Sequence, residues 1–323
     1  MGSGTRPQVI AIEEHYLDED VDAKVNKQAG GGEDTRKRLL DLGELRLREM
    51  DEAGIDIQVL SHCPPGAQAF DKGEAQERAQ GVNNRLFEVV QARPDRFAAF
   101  GSLPTRNPDA CPDELERCVK ELGFKGAMLH GLTDGKFHDL PEFWPIFAKA
   151  EELDVPIYIH PGRPHPDVIN AYYKEYADKF RSILSAGWGF TVETATAGVR
   201  LVLSGVLDKH PDVKIILGHM GEGLPFLLWR INHSFNKLSR PEGQDVQFRD
   251  LFCKHFYITT SGNFSNPALL CSVMEMGVDR ILFSVDWPYV ESLPGTDWME
   301  GIPLSAEDKA KIYNGNAKKL LRM

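Results

Sequence analysis

Four acidic and imidazole side chains lie where short hydrophobic runs of the sequence end. They are Glu13, His15, His160 and Asp286. Glu13 and His15 are two residues apart, so on an extended strand their side chains point to the same side. Two carboxylates and two imidazoles form a mixed oxygen and nitrogen ligand set that suits zinc, manganese or iron(II). The sequence therefore predicts that these residues bind one divalent metal ion.

A second polar group follows a later hydrophobic run. His219 lies in the segment Leu217–Gly223, whose glycines permit a tight turn from strand to helix. Glu222, three residues beyond, is placed to orient the imidazole or to bind a substrate hydroxyl. Arg230 lies about two helical turns further on, and we expect its guanidinium to pair with an anionic substrate group. The alternatives for Arg230 are a solvated helix charge and an ion pair with Glu222.

Other polar residues also end hydrophobic runs. His62 ends the second run, His130 the fourth, and Asn263 follows the seventh. A histidine taken alone at such a position is more often structural than functional. Because the strand ends of a parallel barrel share one mouth, we expect His130, Asn263 and Tyr289 to contact the substrate.

Strands that alternate with helices are needed to bring these residues together. The sequence has eight β-type runs with helical periodicity between them, which predicts a parallel sheet with right-handed crossovers. Eight units favour an α/β fold of the (β/α)8 TIM barrel type over an open doubly wound sheet, and the first run has no Gly-x-Gly-x-x-Gly turn after it. The runs are Val9–Ile12, Ile57–Ser61, Phe97–Leu103, Gly126–Leu129, Pro156–Ile159, Lys214–Leu217, Phe256–Thr260 and Arg280–Ser284.

Two segments depart from a minimal barrel. Gly30–Gly32 predicts a flexible loop after the first strand. An excursion of about 25 residues after the fifth strand, from about Arg163 to Gly187, is rich in aromatic residues and predicts a lid or pocket wall. Packing within the insertion, or a subunit contact, is the alternative. The predicted helices are Arg36–Ala53, Ala75–Ala92, Asp109–Glu121, Leu140–Leu153, a region from about Ala171 to Lys209, Gly223–Leu238, Ala268–Met276 and Ser305–Leu321.

Composition narrows the class of protein. The chain has 323 residues, which fits one barrel domain over 1–323, and its formal net charge of −11 disfavours a nucleic-acid partner. No run is long and apolar enough for a membrane span, and the N-terminus lacks a signal-peptide layout. We therefore expect no membrane partner and a cytoplasmic location. The five cysteines are scattered, which predicts reduced thiols.

The residues at the strand ends resemble those of the amidohydrolase superfamily. Within it, they resemble the non-hydrolytic benzoate decarboxylases of the γ-resorcylate and 2,3-dihydroxybenzoate type, over nearly the whole chain. Hydrolytic members usually begin with a His-x-His pair, whereas the decarboxylase branch has glutamate first, as Glu13 is here. The segments that carry the resemblance are 12–15, 93–97, 122–127, 159–161, 216–225, 259–264 and 283–288.

The resemblance implies a reversible, metal-dependent decarboxylase of an ortho-hydroxybenzoate. It implies one Zn²⁺ or Mn²⁺ ion on Glu13, His15, His160 and Asp286. It also implies Asp286, His219 and Glu222 as catalytic groups and Arg230 at the substrate, and a homodimer or homotetramer. We expect Asp286 to be the acid that protonates the ring carbon bearing the carboxylate.

Two departures and two rival functions accompany the resemblance. His130 replaces a common asparagine, and the second-strand end Ser61–Pro64 is unusual, which puts the ring substituents of the substrate in doubt. The same ligands could instead activate water to hydrolyse a lactone or amide, with Asp286 as base. A metal-stabilised scaffold without catalysis is the third possibility.

Overall fold

The chain forms a ring of short parallel strands, seen in a computed structural model that describes residues 6–25, 31–237 and 247–323. The strands form two arcs, in the orders β1-β2-β3 and β4-β5-β6-β7-β8-β9. Each strand pairs in parallel with the next one along the chain inside its arc. The strands are β1 (Ile10–Tyr16), β2 (Ile57–His62), β3 (Phe97–Ala99), β4 (Gly101–Ser102), β5 (Ala127–His130), β6 (Pro156–His160), β7 (Lys214–Leu217), β8 (Phe256–Thr259) and β9 (Ile281–Leu282).

The two arcs close into a barrel. β3 and β4 are two halves of one barrel strand, interrupted at Phe100, whose backbone N–H donates to the carbonyl of Leu60 at 2.9 Å. On the other side, β1 bonds to the segment that follows β9, because the His15 N–H donates to the carbonyl of Trp287 at 2.7 Å. The predicted (β/α)8 barrel is therefore confirmed, with its strands close to the predicted positions.

Helices connect the strands on the outside. Most match the prediction to within a few residues. The α-helices are α1 (Glu19–Lys24), α2 (Glu33–Leu40), α3 (Glu44–Ala53), α4 (Ala75–Ala92), α5 (Cys111–Lys120), α6 (Trp144–Glu152), α7 (Pro166–Val168), α8 (Lys174–Ala177), α9 (Gly189–Leu203), α10 (Val206–Lys209), α11 (Leu224–Lys237), α12 (Phe248–His255), α13 (Asn266–Met276), α14 (Ser292–Gly301), α15 (Ala306–Ala310) and α16 (Asn316–Leu321).

Some helix predictions were wrong in detail. The single helix expected over Arg36–Ala53 is two helices, because the Asp41 side chain accepts the backbone N–H of Gly43 at 2.9 Å and turns the chain there. The helical region expected to start after Ala171 is a series of short helices before α9. Helices α1, α12 and α14 were not predicted. Gly30 and Leu238, at the ends of two predicted segments, lie outside the described residues.

A β-bulge in β1 reverses which side chains face the barrel axis. Ala11 pairs with Gln58 and Glu14 with Leu60, so β1 has one extra residue between these pairs. Ile10 and Ile12 pack in the interior cluster before the bulge. After it, Glu13 and His15 face the interior instead, while Glu14 faces outward. The bulge therefore allows the strand to bury apolar residues at its start and ligands at its end.

The interior cluster is closed at one end by the last helix. Leu320 and Leu321 of α16 pack against interior residues of the strands. Neighbouring side chains bond to backbone carbonyls that precede strands, as when Asn314 donates to Gln8 and Arg322 to Leu153. The strand N-termini are thus covered, which leaves the C-terminal mouth for a site. Among the described residues, no helix is long and apolar enough to cross a membrane.

Candidate metal and catalytic site

The four predicted ligands converge at the C-terminal mouth of the barrel. Glu13, His15, His160 and Asp286 are all buried, and one ligand atom from each lies within 4.8 Å of the others. Glu13 and His15 come from β1, His160 ends β6, and Asp286 follows β9. The structure therefore brings together residues that are up to 273 positions apart, which is what the sequence prediction required.

The ligand atoms of this cluster face one another across a gap that suits a cation better than direct hydrogen bonds. His15 Nε2 lies 3.2 Å from Asp286 Oδ1, and His160 Nε2 lies 3.3 Å from Glu13 Oε1. Yet buried His15 Nε2 and Glu13 Oε1 make no hydrogen bond to any described residue. The outer nitrogens of both rings are engaged, since His160 Nδ1 donates to the Pro161 carbonyl at 2.8 Å and His15 Nδ1 lies 3.2 Å from the Ser61 hydroxyl. Such outer partners direct the inner lone pairs to a common centre, so the residues fit a divalent metal ion.

Glu13 is held by groups that the sequence analysis missed. Its Oε2 accepts hydrogen bonds from the Tyr158 hydroxyl and from Thr259 Oγ1, the latter at 3.1 Å. Tyr158 is two residues before His160 and so faces the same side of β6, a signal that was present in the sequence. Gly218 leaves room for this carboxylate, because a Cβ there would lie 2.9 Å from Glu13 Oε2.

The neighbouring Glu14 supports the loop that carries Asp286. Its carboxylate accepts the backbone N–H groups of Val285 at 2.9 Å and Trp287 at 3.2 Å, on either side of Asp286. Asp286 itself has a φ of 77°, a conformation unfavourable for a residue with a side chain. Burial raises the pKa of Glu14 to about 8. Glu14 therefore bonds the strained segment in place without facing the cavity, a role that the sequence did not reveal.

His219 and Glu222 form the second predicted pair. His219 Nδ1 lies 2.7 Å from Glu222 Oε1, and His219 Nε2 lies 3.7 Å from Asp286 Oδ2. The turn that carries them is left-handed over consecutive residues, including His219 at φ 49°, Met220 at 59° and Glu222 at 54°. Strain of this kind clusters at functional sites. The second oxygen of Glu222, Oε2, is buried and has no hydrogen-bond partner in the part of the chain that the structure describes.

The charges of the cluster are mutually dependent. Burial raises the pKa of Glu13, but His219 and His160 lower it by more, so that it lies well below its usual value. Burial likewise raises the pKa of Asp286, and His15 and His219 outweigh that effect. For His219, burial lowers the pKa, but Glu222 and Glu13 raise it well above its ordinary value. The carboxylates of Glu222 and Glu13 therefore favour the protonated form of His219, and His219 in turn favours the ionised forms of Glu13 and Asp286.

A cavity of about 340 Å³ opens above the ligands. It is bordered by His160, His219, Asp286 and the predicted Tyr289, and also by Phe190, which was not predicted. Two other predicted substrate contacts, Asn263 and Arg230, are not among the residues that border this cavity. Asn263 is half-buried just after β8, and Arg230 is exposed on α11. Their contact with substrate stays a prediction.

The histidines of β2 and β5 differ in their bonding. His62 uses both nitrogens, because Nδ1 donates to the Cys63 carbonyl at 2.6 Å and Nε2 accepts the Asp18 N–H at 2.9 Å. His130 donates from Nε2 to the His62 carbonyl at 2.8 Å, and its ring centroid is 5.3 Å from that of His160. Burial lowers the pKa of both rings, that of His62 to about 4. His62 is thus a structural residue, whereas His130 lines a second cavity that adjoins the one above the ligands.

Comparison with known proteins identifies the family. The amidohydrolase family profile matches residues 20–323. A γ-resorcylate decarboxylase from Rhizobium sp. is 40% identical over 325 residues, which cover 97% of this chain and 98% of that protein. A γ-resorcylate decarboxylase from Rhodococcus jostii is 38% identical over 331 residues, covering 97% and 98%.

Solved structures agree with these sequences. A 2,6-dihydroxybenzoate decarboxylase in complex with 2,6-dihydroxybenzoate superimposes with a TM-score of 0.89 at 39% identity, over 98% of this chain and 100% of that one. The dihydroxybenzoic acid decarboxylase from Polaromonas sp., with bound manganese and the inhibitor 2-nitroresorcinol, gives a TM-score of 0.90 at 39% identity, over 98% and 97%. The chain therefore belongs to the amidohydrolase family.

Proposed function

We propose that this protein is a metal-dependent, non-oxidative decarboxylase of an ortho-hydroxybenzoate. The observation that carries the proposal is the convergence of Glu13, His15, His160 and Asp286 beside the His219–Glu222 pair. That arrangement lies in a chain 40% identical to a γ-resorcylate decarboxylase over almost its full length. A dihydroxybenzoate is accordingly the substrate class to test first.

The metal of the proposal is manganese or zinc. The manganese-bound Polaromonas decarboxylase supports manganese, and the mixed oxygen and nitrogen donors accept either ion. When bound, such an ion supplies Lewis-acid binding of the substrate carboxylate and the adjacent phenolic oxygen. The cavity wall formed by Phe190 and Tyr289 is suited to an aromatic ring.

Proton transfer is assigned to residues of the chain. The bond between the ring and the carboxylate breaks, carbon dioxide leaves, and a proton takes its place on the ring carbon. Asp286 is the proposed donor of that proton. Because its own pKa is low, we assign the supply of the proton to His219, whose Nε2 lies 3.7 Å from Asp286 Oδ2 and whose pKa Glu222 raises. Glu222 also orients the His219 ring through Nδ1.

Further substrate contacts and the assembly are also proposed. Arg230 is the proposed partner of an anionic substrate group, and Asn263 and His130 are proposed to contact the ring. Assembly as a homodimer or homotetramer is supported by the exposed Phe226 and Trp229 on α11, which are 81% and 66% exposed. The single domain over 1–323 and the cytoplasmic location stay predictions.

The test uses the protein loaded with manganese or zinc and a panel of mono- and dihydroxybenzoates. We expect one or more acids to yield the matching phenol and carbon dioxide in equal amounts, and the phenol to be carboxylated again at high bicarbonate. Lactones and amides in the same panel test for hydrolysis, with the metal-free protein as control. Hydrolysis without any decarboxylation would overturn the proposal.

A further inference from the structure

A second cavity adjoins the one above the metal ligands. This side lobe has a volume of about 570 Å³ and shares two of its walls, Pro64 and Phe190, with the metal cavity. Its floor includes His130 and Gln68. The ring centroids of His130 in the side lobe and His160 in the metal cavity are 5.3 Å apart, so a substrate ring held beside His160 would bring its substituents close to His130.

Of the two floor residues just named, His130 has a polar side-chain atom that makes no hydrogen bond to the described residues. The residue is only 4% exposed. Its Nε2 lies 2.8 Å from the His62 carbonyl, which can only accept, so Nε2 carries the proton. On an uncharged ring, Nδ1 then carries a lone pair. No hydrogen bond to Nδ1 is found among the described residues.

A glycine leaves space beside this lone pair. Gly66 lies beside it with a φ of +58°, and a Cβ at that position would approach His130 Nδ1 to 3.2 Å. Gln68 is already committed, since its amide nitrogen donates to the His130 carbonyl at 2.8 Å and its Oε1 accepts the His130 N–H at 2.6 Å. The floor of the side lobe therefore offers His130 Nδ1 as a hydrogen-bond acceptor, and the Gln68 amide is already bonded elsewhere.

Two of the three cations that line the side lobe are already paired with carboxylates. Lys24 pairs with Asp71 at 2.9 Å and with Glu74 at 2.6 Å. Arg106 pairs with Asp71 at 3.0 Å and with Asp134 at 2.9 Å. The third cation, Arg163, is exposed, where water weakens a charge contact.

We propose that His130 selects hydroxybenzoates that carry a further hydrogen-bond donor, a hydroxyl or an amino group, on the ring edge that faces the side lobe. The inference rests on the proposed function, because it takes the ring to be held beside the metal ligands. A methyl ether at the same ring position would present only lone pairs to Nδ1. Unpaired buried acceptors are costly, so the ether should be rejected.

The test is calorimetric binding to the manganese-loaded full-length protein. The ligands are salicylates with a hydroxyl, amino or methoxy group at each free ring position in turn. At one position we expect the hydroxyl and amino compounds to bind about tenfold more tightly than the methoxy compound. This ratio corresponds to the gain of one hydrogen bond in the first case and an unpaired buried acceptor in the second. In H130L this preference should fall to less than about threefold, and H130N, whose amide can donate to the ether, should restore methoxy binding.

H255N is the matched control. His255 is also buried, and its Nδ1 donates to the Val213 carbonyl at 2.8 Å. Its Nε2 has no partner among the residues that the structure describes, but it lies at the N-terminal end of β8, away from the mouth of the barrel. It should leave the ligand preference unchanged. Equal affinity for hydroxyl and methoxy compounds at all positions, or an unchanged preference in H130L, would overturn the inference.

Measuring turnover on the same panel separates this inference from the proposed function. If a salicylate is decarboxylated but H130L keeps the preference, the inference fails and the function stands. If binding shows the preference and no compound is decarboxylated, the function fails and the inference stands. Absence of binding by every compound would overturn both.

Discussion

The floor of the metal cavity and the segment above it are built in opposite ways. The floor consists of Glu13, His15, His160 and Asp286, which are 0% to 8% exposed. The roof segment, residues 163–188, has large aromatic side chains in solvent. Tyr172 is 69% exposed and Trp188 is 54% exposed.

This difference reflects how each region is held. Floor residues are held by other strands: Glu13 on β1 accepts a hydrogen bond from Thr259 Oγ1 on β8 at 3.1 Å, and Glu14, behind the floor, accepts the backbone N–H groups on both sides of Asp286. The roof segment is a succession of short helices whose hydrogen bonds are mostly local, such as the Gly187 N–H to the Ser182 carbonyl at 2.9 Å. Long-range bonds fix side-chain positions, whereas local bonds fix only the segment's own shape. Substitutions in the floor should therefore have much larger effects.

The largest effect is expected for Asp286→Asn. The amide keeps the size of the side chain and one oxygen for the metal, but it cannot donate the acid proton. We expect kcat to fall about 10²- to 10⁴-fold, the range for removal of a general acid, with the metal content retained by elemental analysis. Asp279→Asn is the control, because Asp279 is exposed and pairs only with Lys311 among the described residues. Near-normal turnover in the Asp286 variant would remove it from the acid role.

Glu14→Ala should have the next largest effect. It leaves the Val285 and Trp287 N–H groups buried without an acceptor, so we expect the free energy of unfolding to fall by roughly 3 kcal/mol. Turnover should fall as well, because Asp286 would no longer be held at φ 77°. Glu14→Gln keeps one acceptor oxygen and should lose less of both. Urea unfolding and kcat measured on both variants test this, and a wild-type urea midpoint for Glu14→Ala would contradict it.

The strand ends were the part of the molecule that could be predicted from the sequence. Parallel strands place their carboxyl ends at one mouth, so residues such as His160 and Asp286 could be brought together without coordinates. Alternation and helical periodicity are local signals, and they located the barrel strands.

The remaining features depend on tertiary contacts. The bulge in β1 depends on bonds to the segment after β9, such as the Glu13 N–H to the Ser284 hydroxyl at 2.7 Å. The break at Asp41 depends on one side-chain hydrogen bond to the backbone. The different bonding of His62 and His130 depends on which carbonyl lies beside each ring, and no spacing in the sequence encodes that. Such features require coordinates because the partners are distant in sequence or compete with a regular pattern.

A smaller effect, confined to acid pH, is expected from His62 beside the floor. Burial lowers its pKa to about 4, so between pH 6.5 and pH 4 the unfolded chain binds a proton that the folded chain does not. This loss of stability is nearly absent above pH 6.5, grows as the pH falls, and reaches about 2 kcal/mol at pH 5. His62→Gln removes the titration and should flatten the acid side of the curve relative to the wild type. Urea unfolding at pH 7, 6 and 5 tests it, and parallel curves for the two proteins would contradict it.

The smallest effect is expected from Tyr172→Ala in the roof segment. Tyr172 contacts Tyr173 edge-on, with ring centroids 6.1 Å apart, and is otherwise largely in solvent. We expect its replacement to change the free energy of unfolding by less than about 0.5 kcal/mol and to leave kcat and KM near the wild-type values.

Phe190→Ala is the variant to compare with it, because Phe190 borders both the metal cavity and the side lobe. Its loss should raise KM for a hydroxybenzoate by about fivefold to tenfold, the effect of roughly 1 kcal/mol of lost ring contact. Ser185 and Ala186 of the roof segment border the metal cavity, but Tyr172 does not. If Tyr172→Ala raised KM as much as Phe190→Ala, Tyr172 would also contribute to substrate binding, and the expected difference between roof and floor would be wrong.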